Sequence, residues 1–141
     1  MLLWAEIIKE HGMDDERLAQ RVTTFTHAVQ RLHDAVNQPD TEFIRDAVIH
    51  RFEFCYELAW QMLTLQLSRD GIEAQTPRHT IQMALQAGYI DDGNVWSEIQ
   101  RMRNLTNHTY DATVAAQVYP FVCTTVMPLF MQLCQTAQSW H

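Results

Sequence analysis

The residues best suited to chemistry fall in one octapeptide, Arg103-Asn104-Leu105-Thr106-Asn107-His108-Thr109-Tyr110, which reads Arg-x4-His-x-Tyr. Arginine presents a rigid fork of N–H donors that matches phosphate oxygens. Histidine transfers protons near neutral pH. Asn104 and Asn107 can orient a ribose or the imidazole, and Tyr110 carries a hydroxyl that could itself be modified. Together these groups suit phosphate chemistry. A continuous helix would not bring them together, because five residues at ~100° each put Arg103 and His108 about 140° apart. Asn104, Thr106, Asn107 and Asp111 are better at caps and turns than inside helices. The motif is therefore predicted to be a junction, with one helix ending inside it and the next starting just after. Such a junction could bring Arg103 and His108 to one cleft. On spacing alone, capping and packing account for the same residues.

Other reactive side chains read more plainly. Glu53 and Glu57 are one helical turn apart, a spacing that could serve a metal or acid–base work. Arg45 and Arg51 lie close in sequence, so ion pairing or a partner contact is expected instead. His50 and His79 have no neighbour at ligand spacing, and His27 with His33 misses the His-x3-His pattern; no metal site and no cofactor are expected. Phe52, Phe54, Tyr56 and Trp60 could stack on bases, but at helical spacing they read as core and dimer interface. Cys55, Cys123 and Cys134 are odd in number, form no Cys-x-x-Cys pair and read as buried reduced thiols.

Composition bounds the rest. At 141 residues the chain fits a single domain, 1–141, with Met13 a second candidate start that would leave 1–13 as an N-terminal extension. Only four Gly and four Pro argue against an all-β fold, which needs many turns. A net charge of −7 argues against coating nucleic acid, and no DNA partner is expected, although a local basic cleft stays open. The first apolar run is broken by Glu6 and lacks a basic start, so it is not read as a signal peptide. No stretch is read as approaching the ~18 apolar residues of a membrane span. A cytoplasmic protein with no membrane partner is expected, and the sequons at Asn104 and Asn107 then have no role.

Five helices can be placed. Asp14 or Asp15 is expected to cap a first helix to about Val36, striped by Leu18, Val22, Phe25, Val29 and Leu32. Asp40 or Thr41 caps a second, expected to be the longest, which ends near Arg69 with Gly71 as the stop. It is apolar on more than one face, as a central or interface helix is. Its surplus apolar surface points to a homodimer. Thr76-Pro77 starts a short third helix closed by Gly88, and a fourth begins near Asn94. The last runs from about Asp111 to Ser139, with Pro120 and Pro128 expected to kink or break it. The expected fold is all-α, an up-and-down bundle of four or five helices.

The run Arg45-Asp46-Ala47-Val48-Ile49-His50-Arg51-Phe52-Glu53-Phe54-Cys55-Tyr56-Glu57-Leu58-Ala59-Trp60 resembles the nucleotidyltransferase substrate-binding protein family. So do Gly71, Thr76-Pro77-Arg78, Ala87-Gly88-Tyr89-Ile90, Trp96 and the octapeptide, in the family's order and spacing over roughly residues 15 to 135. That family belongs to the HEPN superfamily of helical bundles, alongside the HepT toxins. The resemblance implies a homodimer whose Arg-x4-6-His motifs meet in a composite cleft. In active members the cleft cleaves RNA without a metal. Arg103 would stabilise the charged phosphorus centre and His108 would assist proton transfer, with Asn104 matching the polar residue that often follows the Arg. Many members pair with a minimal nucleotidyltransferase subunit. In the HepT-like branch that partner transfers AMP to the Tyr of Arg-x4-His-x-Tyr, the position of Tyr110, and silences the toxin. The older family name implies instead a non-catalytic subunit that binds substrate or nucleotide for the transferase. The chain lacks the Gly-Ser and paired-Asp signature of the transferase itself.

Overall fold

The computed structural model describes residues 3–108 and 111–140, with side-chain surroundings from residue 14 onward. Every element among them is helical. The first helix, α1, spans Leu3–Val36. It therefore starts well before Asp14 and Asp15, which do not cap it. Gly12 is the main breaker in the segment before them, and one glycine costs only about 1 kcal/mol relative to alanine, too little to end a helix. The two acids act as side chains instead: Asp14 lies 3.8 Å from Arg17, and Asp15 lies 3.3 Å from Arg69 at the far end of the next helix. At 34 residues α1 also exceeds the second helix, α2, which spans Glu42–Arg69 and has 28.

Helix α2 begins where Thr41, in an extended conformation, accepts a hydrogen bond from the Ile44 amide. It ends in a Schellman turn: Gly71 sits at φ +80, and the amides of Gly71 and Ile72 donate to Ser68 and Leu67 carbonyls. Helix α3 spans Pro77–Ala87, capped by Thr76 and closed by Gly88 at φ +81. Helix α4 spans Gly93–Leu105, with Asp92 in the left-handed region as its cap. A single 3-10 turn, Thr106–His108, follows.

The last helix, α5, runs Ala112–Ala137 from an Asp111 cap. Its two prolines do not break it. Between Pro120 and Pro128 the winding loosens to a π-helical turn over Val122–Val126, in which the Met127 amide donates to the Val122 carbonyl. A proline cannot donate and crowds the carbonyl four residues back, and a wider turn relieves both problems. The Thr124 hydroxyl donates to the Pro120 carbonyl at 2.9 Å. One expectation about α5 fails. No charged residue occurs in Ala112–Ala137, and with a mean hydropathy of 1.5 over an 18-residue window it is long and apolar enough to cross a membrane by length and composition. In the bundle it buries one stripe, Val118, Val122, Val126, Phe130, Leu133 and Ala137. Threonines and glutamines, rather than charges, occupy much of its outer surface.

The helices form the expected all-α bundle, with α2 packed against every other helix. Phe130 of α5 is the hub of the core. Its ring meets Phe25 of α1 edge-on at 6.0 Å, stacks with Phe52 of α2 at 6.3 Å and tilts against Trp96 of α4 at 6.1 Å. Of the three thiols only Cys55 is fully buried, and desolvation pushes it up to about 12. Cys123 and Cys134 are half-buried, because they flank the buried stripe of α5 instead of lying on it.

Candidate functional site

The motif is the predicted junction. Arg103 and Asn104 stand on the last turn of α4, Asn107 and His108 on the 3-10 turn, and Asp111 caps α5. Thr106 closes the turn: its hydroxyl donates to the Arg103 carbonyl at 2.6 Å and accepts from Arg103 Nη1 at 3.1 Å. A side chain poorly suited to a helix interior thus adds a hydrogen bond to a carbonyl of the helix's last turn. Tyr110 lies outside the described residues.

Arg103 is held from across the bundle. Its Nη2 lies 3.4 Å from Glu57 Oε1 and its Nη1 lies 3.8 Å from Glu53 Oε2, both on α2. Glu57 is itself fixed by the Trp60 indole, which donates to Oε2 at 2.8 Å. The two glutamates therefore do form ion pairs, but not with the arginines nearest in sequence. Arg45 pairs with Asp40 at 2.7 Å and stacks over Tyr119, and Arg51 donates to the Arg31 carbonyl. Arg45 and Arg51 leave α2 on other sides, whereas Glu53 and Glu57 share the side that meets the end of α4.

Around Arg103 opens a groove of about 600 Å³. Tyr56 and Glu57 line it from α2, Thr76 to Arg78 from α3, and Gln100, Arg101, Arg103 and Asn104 from α4, with Asn107 at its end. Three of the chain's ten basic residues thus meet at one place in a protein of net charge −7. Burial, and then the Glu57 charge, raise the Tyr56 phenol above its ordinary value, against a lowering hydrogen bond with Gln100. Tyr56 and Phe52 are buried, Trp60 is half-buried and Phe54 points outward, so the aromatic run is divided between core and surface.

His108 is exposed and is not among the residues lining the groove. It lies beside Asp111, whose amide donates to the His108 carbonyl at 2.9 Å. Hydrogen bonds from the Thr113 hydroxyl and amide hold the Asp111 carboxyl below its ordinary range, and the His108 charge adds to this. Within the chain, then, the junction gathers Arg103, Asn104 and Asn107 on one groove and places His108 next to the α5 cap. Among the described residues, no three His, Cys, Asp or Glu side chains are grouped to hold a metal.

Sequence reasoning missed Arg78, Arg101 and Gln100 as groove residues. Arg78 is visible in the sequence only as part of a helix start. Nothing in the linear spacing says that the start of α3 faces the end of α4.

Comparisons with known proteins agree with this architecture. Residues 20–139 match the family described as nucleotidyltransferase substrate binding protein like. A Haemophilus influenzae protein named Probable ribonuclease HepT is 40% identical over 76 residues. That match spans 50% of this chain and 52% of the relative, so the two correspond over about half their lengths. A crystal structure of a Thermus thermophilus protein superposes with a TM-score of 0.68 at 25% identity, covering 81% of this chain and 95% of the other. The Haemophilus influenzae protein HI0074, described as revealing the fold of a substrate binding domain of a nucleotidyltransferase, superposes with a TM-score of 0.64 at 26% identity, over 89% and 99%. Since the family match takes in the last four helices and the second half of α1, together with the Arg-x4-His junction, the chain belongs to the nucleotidyltransferase substrate-binding protein-like family.

Proposed function

We propose that this chain is the helical subunit of a two-component nucleotidyltransferase module, and that it cleaves RNA without a metal until its transferase partner restrains it. One observation carries the reading: in an acidic protein, Arg103, Asn104 and Asn107 of the motif share an open groove with two further arginines. A phosphate-bearing chain is the ligand such a groove suits. The ribose 2′-hydroxyl attacks the adjacent phosphorus, a 2′-oxygen–phosphorus bond forms and the bond to the 5′-oxygen breaks. The 2′-proton leaves and the 5′-oxygen gains one, leaving a cyclic phosphate and a free 5′-hydroxyl. Arg103 stabilises the charge on phosphorus, Asn104 orients the phosphate or ribose, and His108 carries a proton. A homodimer supplies the geometry one chain lacks, with His108 of a second copy closing the groove. Phe43, 82% exposed, and Phe54, 55% exposed, support such pairing along α2. Tyr110 is the site at which the partner's AMP transfer silences the protein.

The test is RNA cleavage by the purified protein in EDTA, with Arg103→Ala and His108→Ala each abolishing it. Intact RNA together with no growth defect on expression overturns the reading. AMP transfer is read by intact mass after incubation with the partner and ATP; an adduct that persists in Tyr110→Phe refutes the modification site. A second reading, a non-catalytic subunit that binds nucleotide for the transferase, is favoured by the fact that Glu53 and Glu57 already compensate Arg103. It predicts nucleotide binding and a more active partner, with RNA left intact.

A further inference from the structure

The three arginines of the groove are not equivalent. Arg103 is 21% exposed and committed to Glu53, Glu57 and Thr106. Among the described residues, Arg101 pairs only with Glu98, one turn back on its own helix, at 3.0 Å, and both side chains are about half exposed. Such a pair is worth little and gives way to a better anion. Arg78 is exposed, and among the described residues no carboxylate pairs with it. The first turn of α3, where Arg78 sits, holds no acidic residue, so beyond the neutral Thr76 cap no negative charge in that turn offsets the positive end of its dipole. The groove thus has one tethered cation at the motif and two available ones on the facing walls.

Its size and lining narrow the ligand. About 600 Å³ is the scale of a pocket for a nucleotide-sized group, well beyond a lone ion. Pro77 and Tyr56 give it apolar surface, while Ser97 and Gln100 offer hydrogen-bonding groups of the kind that read an unstacked base or ribose.

We infer that Arg78 and Arg101 form a second phosphate subsite beside Arg103, so that the groove takes two neighbouring phosphates of one single-stranded RNA. This rests on the proposed reading of RNA as the ligand, and it adds the strand's path and the residues that fix it. Arg103 acts on the reacting phosphate, and the Arg78–Arg101 pair anchors the adjacent one.

The experiment uses the full chain and a fluorescent single-stranded RNA with 2′-O-methyl riboses, which cannot be cleaved, and reads anisotropy across a salt series. Arg78→Ala and Arg101→Ala are each expected to weaken binding about tenfold and to lower the slope of log affinity against log salt by about 0.7. The lysine variants at both positions should restore the slope. Arg31→Ala, an exposed arginine of α1 outside the groove, should leave both quantities unchanged. Wild-type affinity in the double alanine variant, no binding by the wild type, or a preference for duplex RNA each overturns the subsite. Cleavage of unmodified RNA separates the two claims. Arginine-dependent binding without cleavage refutes the nuclease and supports the subsite. Cleavage with unchanged KM in the double variant refutes the subsite and leaves the nuclease standing.

Discussion

Replacing Glu57 by glutamine tests whether the α2 carboxylates really hold the motif arginine. At 3.4 Å, a pair of unit charges is worth about 1.2 kcal/mol at the dielectric of water and about 5 kcal/mol at an effective value of 20. The side chains are 21% and 39% exposed, which favours the lower end, and Glu53 at 3.8 Å still compensates part of the charge. The amide keeps an acceptor for the Trp60 indole. A destabilisation of about 1–2 kcal/mol is expected for Glu57→Gln, or roughly 3–8 °C in Tm for a chain of this size. Because removing one partner strands the other, the single value overstates the pair, and a double-mutant cycle isolates it. Urea unfolding of wild type, Glu57→Gln, Arg103→Leu and the double variant should return a coupling of about 1 kcal/mol that shrinks in high salt. Coupling below about 0.3 kcal/mol would show that the contact does not tie α2 to α4 and that the junction stands on Thr106 and the core alone.

Three further outcomes follow from the fold. Phe130→Ala should cost about 3–5 kcal/mol in chemical denaturation, because it removes the ring that joins α1, α2 and α4; a loss under about 1 kcal/mol would contradict the hub. Asp111 has a depressed folded pKa, so its contribution is present above its ordinary value of 3.8 and is lost as pH falls through the folded value. Asp111→Asn should keep the α5 cap but remove that acid-range loss, and Asp111→Ala should lower Tm at neutral pH; equal acid sensitivity in wild type and Asp111→Asn speaks against the assignment. Burial holds the Cys55 thiol up at about 12, so it should resist a disulfide reagent at pH 8 until urea is added. The same shift removes stability as pH rises above the thiol's ordinary value of 9.0, because the unfolded chain ionises first. Rapid labelling of Cys55 in the folded protein, located by peptide mass, would contradict its burial.

Much of this protein is legible from its sequence alone. The limits of α2 and α3 and the α5 cap follow from Thr41, Thr76 and Asp111 with Gly71 and Gly88, because caps and stops satisfy backbone groups within a few residues. The helix junction inside Arg103–His108 is local for the same reason, and the family resemblance is carried by contiguous runs. Other features required the tertiary structure. The extra turns of α1 show that acidic residues do not start a helix when good helix formers precede them. The π turn shows that two prolines can be absorbed by rewinding. Most consequential, Arg103 meets Glu53 and Glu57 from some fifty residues away, and Arg78 comes to share its groove. Those pairings depend on how each helix is rotated about its axis and which face it turns to its neighbour. Burial of the whole core sets that rotation, and it leaves no trace in the spacing of the residues it brings together.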